Sequence, residues 1–244
     1  LPSLEAMKPL IGKDTTIITC MNGIPHWYFH KLDNKYANYK IKCLDADLLI
    51  DTILPPDNIV GSVVYPACEI VKPGTIKHIA GNRFSLGEPE GSESDRLKFI
   101  SEILKKAGFR APIQKNIRDE IWLKLIGNLS FNPISALTGA TLEQICNDQG
   151  TEQIVKEMMI EAKTIAEKLG AKINMSIEKR IDGARKVGAH KTSMLQDIES
   201  GKPIEIDSII VAVKELGELT NSPTPNINTI LNLTIQKAKL IGCL

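Results

Sequence analysis

Short apolar runs separated by turn residues characterise the first 115 residues of the chain. The runs at residues 15–20, 58–65 and 75–80 are rich in Ile, Val and Thr and end at turn residues, which predicts β-strands. Residues 1–11 and 94–107 place apolar side chains at helical spacing, which predicts two helices. Residues 1–115 are therefore predicted to form an α/β domain.

Helical periodicity dominates after residue 117. It predicts helices at residues 118–137, 141–147, 150–169, 176–187, 206–220 and 226–241, so residues 116–244 are predicted to form an all-helical domain. A parallel sheet needs several βαβ units to cover both of its faces, and residues 1–115 are too short to supply them. The chain also opens inside a helical pattern. We therefore expect residues 1–115 to be only the last part of a larger α/β domain.

Charge and hydropathy narrow the class of protein. The 244 residues contain 30 Lys and Arg against 29 Asp and Glu, a net charge of +1, so no excess charge favours nucleic acid or an anionic membrane as the partner. No apolar run approaches the ~18 residues of a transmembrane helix, and the first residues lack the pattern of a secretory signal. We therefore expect a cytoplasmic protein.

Cysteine and histidine indicate neither a disulfide framework nor a metal site. The five cysteines are odd in number and never occur in a C-x-x-C spacing, so free, buried thiols are expected. His26 and His30 are four residues apart but lack a third ligand. No metal is therefore expected.

The segment at residues 120–137 is the most informative for chemistry. Lys124, Asn128 and Asn132 recur every four residues, so they lie along one stripe of a helix that is otherwise largely apolar. In a partly desolvated cleft the pKa of such a lysine falls toward the range of a general acid, and the carboxamides can bind a polar substrate. A stripe on the solvated face of the helix is the commoner use of this spacing, and spacing alone leaves both open.

Two further segments contain candidate polar groups. Residues 190–207 predict a polar loop that carries Ser193, then a helix with Glu205 and Asp207 in its acidic first turn; such residues often only cap a helix. At residues 21–25 an Asn-Gly turn follows a predicted strand. Ligands of open α/β sheets bind outside the carboxyl ends of the strands, so Asn22 is a candidate cofactor or substrate contact, although a lone Asn-Gly turn means little.

Together these three segments resemble the ketopantoate reductase (2-dehydropantoate 2-reductase) family, in which an Asn-Gly turn, a W-x-K-x-x-x-N helix and S-M-x-x-D and E-I-D motifs meet in one cleft. Further matching stretches are Val-Val-Tyr-Pro-Ala at 63–67, Pro-Gly at 73–74, Leu-Gly-Glu at 86–88 and Thr-Pro at 224–225. The resemblance implies the last part of a Rossmann-like NADP-binding domain at 1–115. It implies a helical substrate-binding and catalytic domain, similar to the C-terminal domain of 6-phosphogluconate dehydrogenase, at 116–244.

The resemblance also implies a reaction and roles for single residues. The reaction is the NADPH-dependent reduction of a 2-oxo acid, 2-dehydropantoate or a related compound, as in pantothenate biosynthesis. Lys124 would be the general acid, and Glu205 would orient it and the substrate hydroxyl. The binding contacts would come from Asn128, Asn132 and Ser193 for the substrate and from Asn22 and Glu205 for the cofactor. Some members form dimers through the helical domain, which implies a homodimer.

The chain departs from the family in two respects. The G-x-G-x-x-G fingerprint that holds the pyrophosphate of a dinucleotide is absent from the 244 residues. The sequence Pro-His-Trp-Tyr-Phe at 25–29 is typical of a branch whose substrate need not be ketopantoate. Two hypotheses follow. The joint presence of Lys124, Asn128, Ser193 and Glu205 favours an enzyme, whereas the missing fingerprint favours a truncated, non-catalytic helical module for oligomerisation or interaction.

Overall fold

A computed structural model describes residues 2–244 of the chain. It divides into two compact units, Leu1–Ile121 and Trp122–Leu244. The domain boundary predicted at residues 115 and 116 stays a prediction. The helix predicted at residues 1–11 starts at Leu1, which lies outside the described residues.

Unit 1 contains two small sheets. Its strands are β1 (Ile17–Thr19), β2 (Ile59–Val64), β3 (Ala67–Lys72), β4 (Thr75–Ala80) and β5 (Phe84–Gly87). One sheet has the order β1-β2-β5, with β1 parallel and β5 antiparallel to β2. The central strand β2 is buried over most of its length. Gly61 is required there, because a Cβ would lie 2.6 Å from the ring of Trp27. The strands predicted at 15–20, 58–65 and 75–80 are confirmed.

The second sheet is the β3–β4 hairpin, whose β3 strand the sequence analysis missed. Both of its strands are exposed along nearly their whole length. Its apolar side chains therefore face solvent, with Ile70 and Ile76 paired across the two strands. The equally exposed β4 was predicted from its run of Thr and Ile before the Gly-Asn turn at 81–82, whereas the sequence of β3, Ala-Cys-Glu-Ile-Val-Lys, has neither a long apolar run nor a clear alternation of apolar and polar residues.

Four helices accompany the sheets of unit 1: α1 (Pro2–Met7), α2 (Lys42–Asp45), α3 (Leu49–Ile53) and α4 (Asp95–Lys106). The hydroxyl of Ser94 accepts a hydrogen bond from the Leu97 amide and so begins α4, as the sequence predicts. The side chain of Leu97 is buried with Val60 and Leu86 in the core of the unit. The short helices α2 and α3 were not predicted.

Arg118 anchors the beginning of the next helix, α5 (Ile117–Thr138), within unit 1. Its guanidinium is buried and donates hydrogen bonds to the carbonyl oxygens of Tyr28 at 2.7 Å, Pro89 at 2.5 Å and His30 at 2.8 Å. Two of these bonds satisfy backbone acceptors in the segment at 25–30, which packs as core rather than as sheet, and the third satisfies the Pro89 carbonyl. Burial lowers the pKa of Arg118 below the ordinary arginine value.

Unit 2 is helical throughout. The division between the units falls inside α5, and the later helices are α6 (Leu142–Asn147), α7 (Gln149–Lys168), α8 (Ile177–Val187), α9 (Ser193–Glu199), α10 (Ala212–Leu219) and α11 (Pro225–Ile241). Helix α7 is central and packs against α6, α8, α10 and α11. Its buried side chains include Met158, Met159 and Ile165. The helices predicted at 118–137, 141–147, 150–169, 176–187 and 226–241 are confirmed.

Two local predictions for unit 2 need correction. The polar loop predicted within residues 190–207 contains α9, a helix of seven residues that the Thr192 hydroxyl caps. The helix predicted at residues 206–220 is present, but its first turn at Asp207–Val211, before α10, is π-helical, and Glu205, which was predicted in the first helical turn, lies outside it. In unit 1, the thiols of Cys20 and Cys68 are exposed, so the expectation that all cysteines are buried is wrong for these two. None of the described helices combines the length and the apolar character needed to cross a membrane.

Candidate active site

Helix α5 carries the polar stripe within an apolar surround. Trp122, Leu125 and Leu129 are at most 1% exposed, which explains why this stretch forms a packed helix rather than a surface helix. Of the stripe itself, Asn132 is 5% exposed, while Lys124 and Asn128 are half-buried. A stripe on the solvated face of the helix, the alternative left open by the spacing, is therefore wrong for Asn132.

Pro133 interrupts α5 directly after Asn132. Proline has no amide hydrogen, so the carbonyl of Leu129 loses its usual partner four residues later, and such a position kinks a helix. The interruption lies at the end of the stripe, next to its most buried carboxamide. Asn128 and Asn132, two of the candidate binding residues, thus lie directly before a position at which α5 lacks one of its backbone hydrogen bonds.

Lys124 interacts electrostatically with Glu205 within unit 2. Burial lowers the pKa of the Lys124 ammonium from the ordinary lysine value, and the negative charge of Glu205 partly offsets this effect. The lysine is thus desolvated enough to release a proton more readily than a surface lysine, while a carboxylate nearby favours its charged form. This combination suits a general acid.

Glu205 reaches this position from an extended segment. Its neighbours Ile204 and Ile206 are buried, while Glu205 is exposed, so the three residues alternate as in a strand. The Ile204 amide donates to the Cys243 carbonyl at 3.0 Å, and Ile206 accepts from the amides of the π-helical turn that follows. The buried isoleucines and these hydrogen bonds fix the backbone, so the carboxylate points away from the core of the unit.

Helix α9 contributes a second carboxylate near Glu205. Burial raises the pKa of Asp197, the charge of Glu205 raises it further, and Lys202 opposes both effects. Ser193 lies four residues before Asp197, on the same face of α9, and is exposed. Neither Asp197 nor Lys202 was predicted as a site residue, because neither lies in the stripe of α5; the aspartate of the S-M-x-x-D motif at 193–197 was the available signal for Asp197.

Within unit 2, electrostatic interactions thus link Lys124 to Glu205 and Glu205 to Asp197. Ser193 lies on α9 with Asp197, and Asn128 and Asn132 lie further along α5. Asn22 belongs to unit 1 and is not part of this set. It follows β1, is partly buried, and precedes Gly23, whose φ of 81° is in the left-handed region that favours glycine. The predicted roles of all these residues stay predictions at this point.

An ammonium beside a carboxylate, flanked by carboxamides and a hydroxyl, is suited to bind a small polar molecule and to exchange a proton with it. Two carboxylates, Glu205 and Asp197, lie near each other, and each interacts with one lysine, Lys124 and Lys202 respectively. Among the described residues, no group of three or more His, Cys, Asp or Glu could hold a metal ion. The arrangement therefore defines a candidate proton-transfer site in the helical unit.

Comparison with known proteins gives the family. Residues 116–238 match the family model described as "Ketopantoate reductase PanE/ApbA C terminal". The chain is 48% identical over 242 residues to the 2-dehydropantoate 2-reductase of Mesorhizobium japonicum, and this match covers 99% of this chain and 74% of that protein. The chain belongs to the ketopantoate reductase family, a family of oxidoreductases.

Two solved structures extend the comparison. A crystal structure assigned to the ketopantoate reductases, from Ralstonia solanacearum, has a TM-score of 0.95 and 37% identity, over 100% of this chain and 74% of that chain. A dimeric ketopantoate reductase from Staphylococcus aureus has a TM-score of 0.71 and 21% identity, over 99% and 76% of the two chains. The predicted fold class, a partial Rossmann-like domain followed by a helical domain, is confirmed by these neighbours.

Proposed function

We propose that the chain functions as a 2-dehydropantoate 2-reductase, which reduces 2-dehydropantoate or a related 2-oxo acid to the 2-hydroxy acid. The observation that carries the proposal is the half-buried Lys124 beside Glu205 in a chain of this family. Family membership argues against the alternative hypothesis of a non-catalytic helical module. The desolvated lysine argues against it as well, because a purely structural module has no use for one.

Lys124 has the central chemical role in this proposal. Reduction of a ketone develops negative charge on the carbonyl oxygen, and an ammonium within hydrogen-bonding reach stabilises that charge and then donates a proton to it. Burial lowers the pKa of Lys124 and so makes its proton easier to release, whereas the negative charge of Glu205 favours the protonated amine that proton donation requires. Glu205 would also orient the substrate hydroxyl. Asn128, Asn132 and Ser193 would bind the remaining polar groups of the substrate.

A nicotinamide dinucleotide supplies the hydride for this chemistry when it is bound. Its pyrophosphate requires a glycine-rich turn that leads into the N-terminus of a helix. The 244 residues contain no G-x-G-x-x-G, and after β1 the described chain continues through irregular turns up to α2 rather than into a helix. The described residues therefore do not fit the pyrophosphate group, although Asn22 after β1 remains our candidate for the nicotinamide end, together with Glu205.

Finer parts of the proposal follow the family. We propose NADP as the dinucleotide, a role in pantothenate biosynthesis, a cytoplasmic location and a homodimer, the last supported by the dimeric relative from Staphylococcus aureus. We also propose that residues 1–115 act as the last part of the NADP-binding domain and residues 116–244 as the substrate-binding and catalytic domain. The family model, which starts at residue 116, supports this boundary.

The test separates binding from chemistry. Fluorescence titration with NADPH and NADH measures dinucleotide binding by the 244-residue chain, and calorimetry measures 2-dehydropantoate binding. Consumption of NADPH in the presence of 2-dehydropantoate then measures turnover. If the chain binds substrate but neither dinucleotide, it is not an enzyme by itself, and the non-catalytic hypothesis gains support.

Where turnover is observed, Lys124→Met should reduce kcat by about 10²–10⁴-fold, the usual contribution of general acid catalysis. The matched control is Lys214→Met, on α10, whose lysine is 41% exposed and pairs with Glu218 at 3.4 Å. The control should leave kcat unchanged. Full turnover by Lys124→Met would remove the assignment of the general acid.

A further inference from the structure

Glu205 lies at the centre of a tight turn. The Ile206 amide donates to the Ile204 carbonyl at 3.0 Å, and a hydrogen bond that spans three residues in this way defines a γ-turn. Glu205 has a negative φ, so the turn is of the inverse kind. The side chains of Ile204 and Ile206 are buried on either side of the exposed Glu205. The turn therefore presents the Glu205 carboxylate away from its two buried neighbours.

Backbone hydrogen bonds hold this γ-turn from both sides. After the turn, the Ile206 carbonyl accepts hydrogen bonds at 2.9 and 3.2 Å from two amides of the π-helical turn. Before it, Pro203 has no amide hydrogen to donate, and the Ile204 amide donates to the Cys243 carbonyl at 3.0 Å. The bond to Cys243 joins the γ-turn to the residues that follow α11, almost forty positions later in the sequence.

The turn that ends α11 determines where Cys243 lies. Gly242 has a φ of 69°, in the left-handed region that favours glycine. Its amide donates to the Lys239 carbonyl at 3.3 Å, and the Cys243 amide donates to the Ala238 carbonyl at 2.9 Å, which are the two bonds of a Schellman motif. Cys243 is buried by this motif. The conformation of Gly242 thus directs the Cys243 carbonyl toward Ile204.

We propose that the Gly242–Cys243 turn is a positioning element for Glu205, which keeps its carboxylate within electrostatic range of Lys124. The inference rests on the role that the proposed function gives to Glu205. A Schellman motif that served only to end α11 would need no bond to the γ-turn. Here the buried Cys243 carbonyl accepts the Ile204 amide, directly before Glu205, so a change in the backbone at Gly242 is transmitted to the carboxylate.

NMR titration of the Lys124 and Asp197 side chains in isotopically labelled protein reports the position of Glu205 without any need for turnover. The charge of Glu205 raises the pKa of both groups. Gly242→Val should therefore lower both pKa values, but no further than Glu205→Gln does, because a β-branched residue is strongly disfavoured at positive φ and the turn must move. Gly242→Asn should keep the wild-type values, since asparagine tolerates the left-handed conformation.

A double variant shows whether the effect passes through Glu205. In a Glu205→Gln background, Gly242→Val should cause no further change in the pKa of Lys124 or Asp197, because the charge that the turn positions is already absent. A further fall of similar size in this background would overturn the proposal.

Gly188→Val is the matched control in unit 2. Gly188 follows α8 with a φ of 81°, and an added Cβ there would meet no atom of the described residues within 4 Å, which is also the case at Gly242. The control strains the backbone at the end of another helix and should leave the pKa of Lys124 and Asp197 unchanged. An equal fall in the control would mean a general loosening of unit 2, and this result would overturn the proposal. Wild-type pKa values in a folded Gly242→Val variant would do the same.

A second pair of variants decides the question if Gly242→Val does not fold. Ile204→Pro and Ile204→Ala both remove the buried isoleucine side chain, but only proline removes the amide that donates to Cys243. Proline should lower the pKa of Lys124 and Asp197 relative to alanine, and equal values for the two variants would overturn the proposal.

The outcomes separate this inference from the proposed function. If Glu205→Gln leaves the pKa of Lys124 and Asp197 unchanged, the role of Glu205 in the proposed function fails, and the inference fails with it. If Glu205→Gln lowers both values but Gly242→Val lowers neither, the inference alone fails. Reductase turnover is measured independently of these titrations.

Discussion

Replacement of Glu120 by glutamine tests whether a buried ion pair stabilises unit 1 at the start of α5. Glu120 is 8% exposed, and its carboxylate accepts hydrogen bonds from Arg83 Nη2 at 2.8 Å, the Tyr65 hydroxyl at 2.9 Å and Ser85 Oγ at 3.0 Å. Arg83 also lies over the Tyr65 ring, 5.2 Å from its centre. A glutamine amide at this position leaves the Arg83 guanidinium without a counter-charge. Its amide hydrogens also point toward Arg83, Tyr65 and Ser85, which are themselves hydrogen-bond donors to Glu120.

The expected loss follows from the burial of the two partners. Breaking a fully buried ion pair costs about 3–5 kcal/mol, because one charge is left uncompensated. The side chain of Arg83 is 32% exposed, so water screens part of that charge, and we expect Glu120→Gln to lower the free energy of unfolding by about 2–3 kcal/mol. The matched control is Glu102→Gln in the exposed Glu102–Lys105 pair, which should cost about 0.5 kcal/mol or less.

Urea unfolding followed by tryptophan fluorescence measures both effects. The chain has two tryptophans, Trp27 in unit 1 and Trp122 in unit 2, both buried. In a Trp122→Phe background the signal comes from Trp27 and reports unit 1. A midpoint for Glu120→Gln that falls no further than that of Glu102→Gln would refute the reasoning, because it would mean that the buried pair contributes no more than an exposed one.

Three further predictions concern unit 2. Glu205→Gln removes the charge that raises the pKa of Lys124, so that pKa should fall further and the alkaline limb of the kcat/KM profile should move to lower pH; an unmoved limb would mean that Glu205 does not influence the titration of Lys124. Ser130→Ala should leave stability unchanged or raise it by up to about 1 kcal/mol in urea titrations, because the buried hydroxyl has no hydrogen-bond partner among the described residues; a clear loss would mean that it does have one. Gly127→Ala should change the free energy of unfolding by less than about 1 kcal/mol by the same assay, because the new Cβ would lie 2.0 Å from Arg180 Nη2, at the flexible end of a side chain that can move aside, while alanine favours the helix; in an Arg180→Ala background the same change should stabilise α5 by up to about 1 kcal/mol, and a loss of stability there would contradict the packing argument.

The sequence predicted those elements whose one face is buried over several turns. Helices α7 and α11 are found within two residues of their predicted bounds, since each buries a full apolar stripe. Helix α9 has seven residues, too few to show a period, and its Ser193 and Asp197 resemble loop residues. The strand β3 has no buried face at all. Periodicity records burial, and these two elements bury little, whereas the equally exposed β4 was predicted from its run of Thr and Ile before a turn and not from burial.

The placement of Glu205 could not be read from the local sequence either. An acidic residue before an apolar run is the ordinary signature of a first helical turn, and Asp207 does lie in one. Glu205 instead belongs to an extended segment whose backbone is held by Cys243, almost forty residues later. Family resemblance gave it a role that local pattern did not support. A π-helical turn adds one residue per turn, which no spacing rule based on 3.6 residues anticipates.

The stripe on α5 shows what spacing can decide and what it cannot. A repeat of four residues establishes that Lys124, Asn128 and Asn132 share a face, but a solvated face and a binding face have the same repeat. Burial decides between them, and it depends on residues far away in the sequence. Burying a carboxamide or an ammonium is unfavourable unless other groups or a ligand compensate. Because Asn132 is 5% exposed and burial lowers the pKa of Lys124, the fold keeps polar groups where apolar ones would stabilise it more, and we propose that a bound polar substrate compensates for this cost.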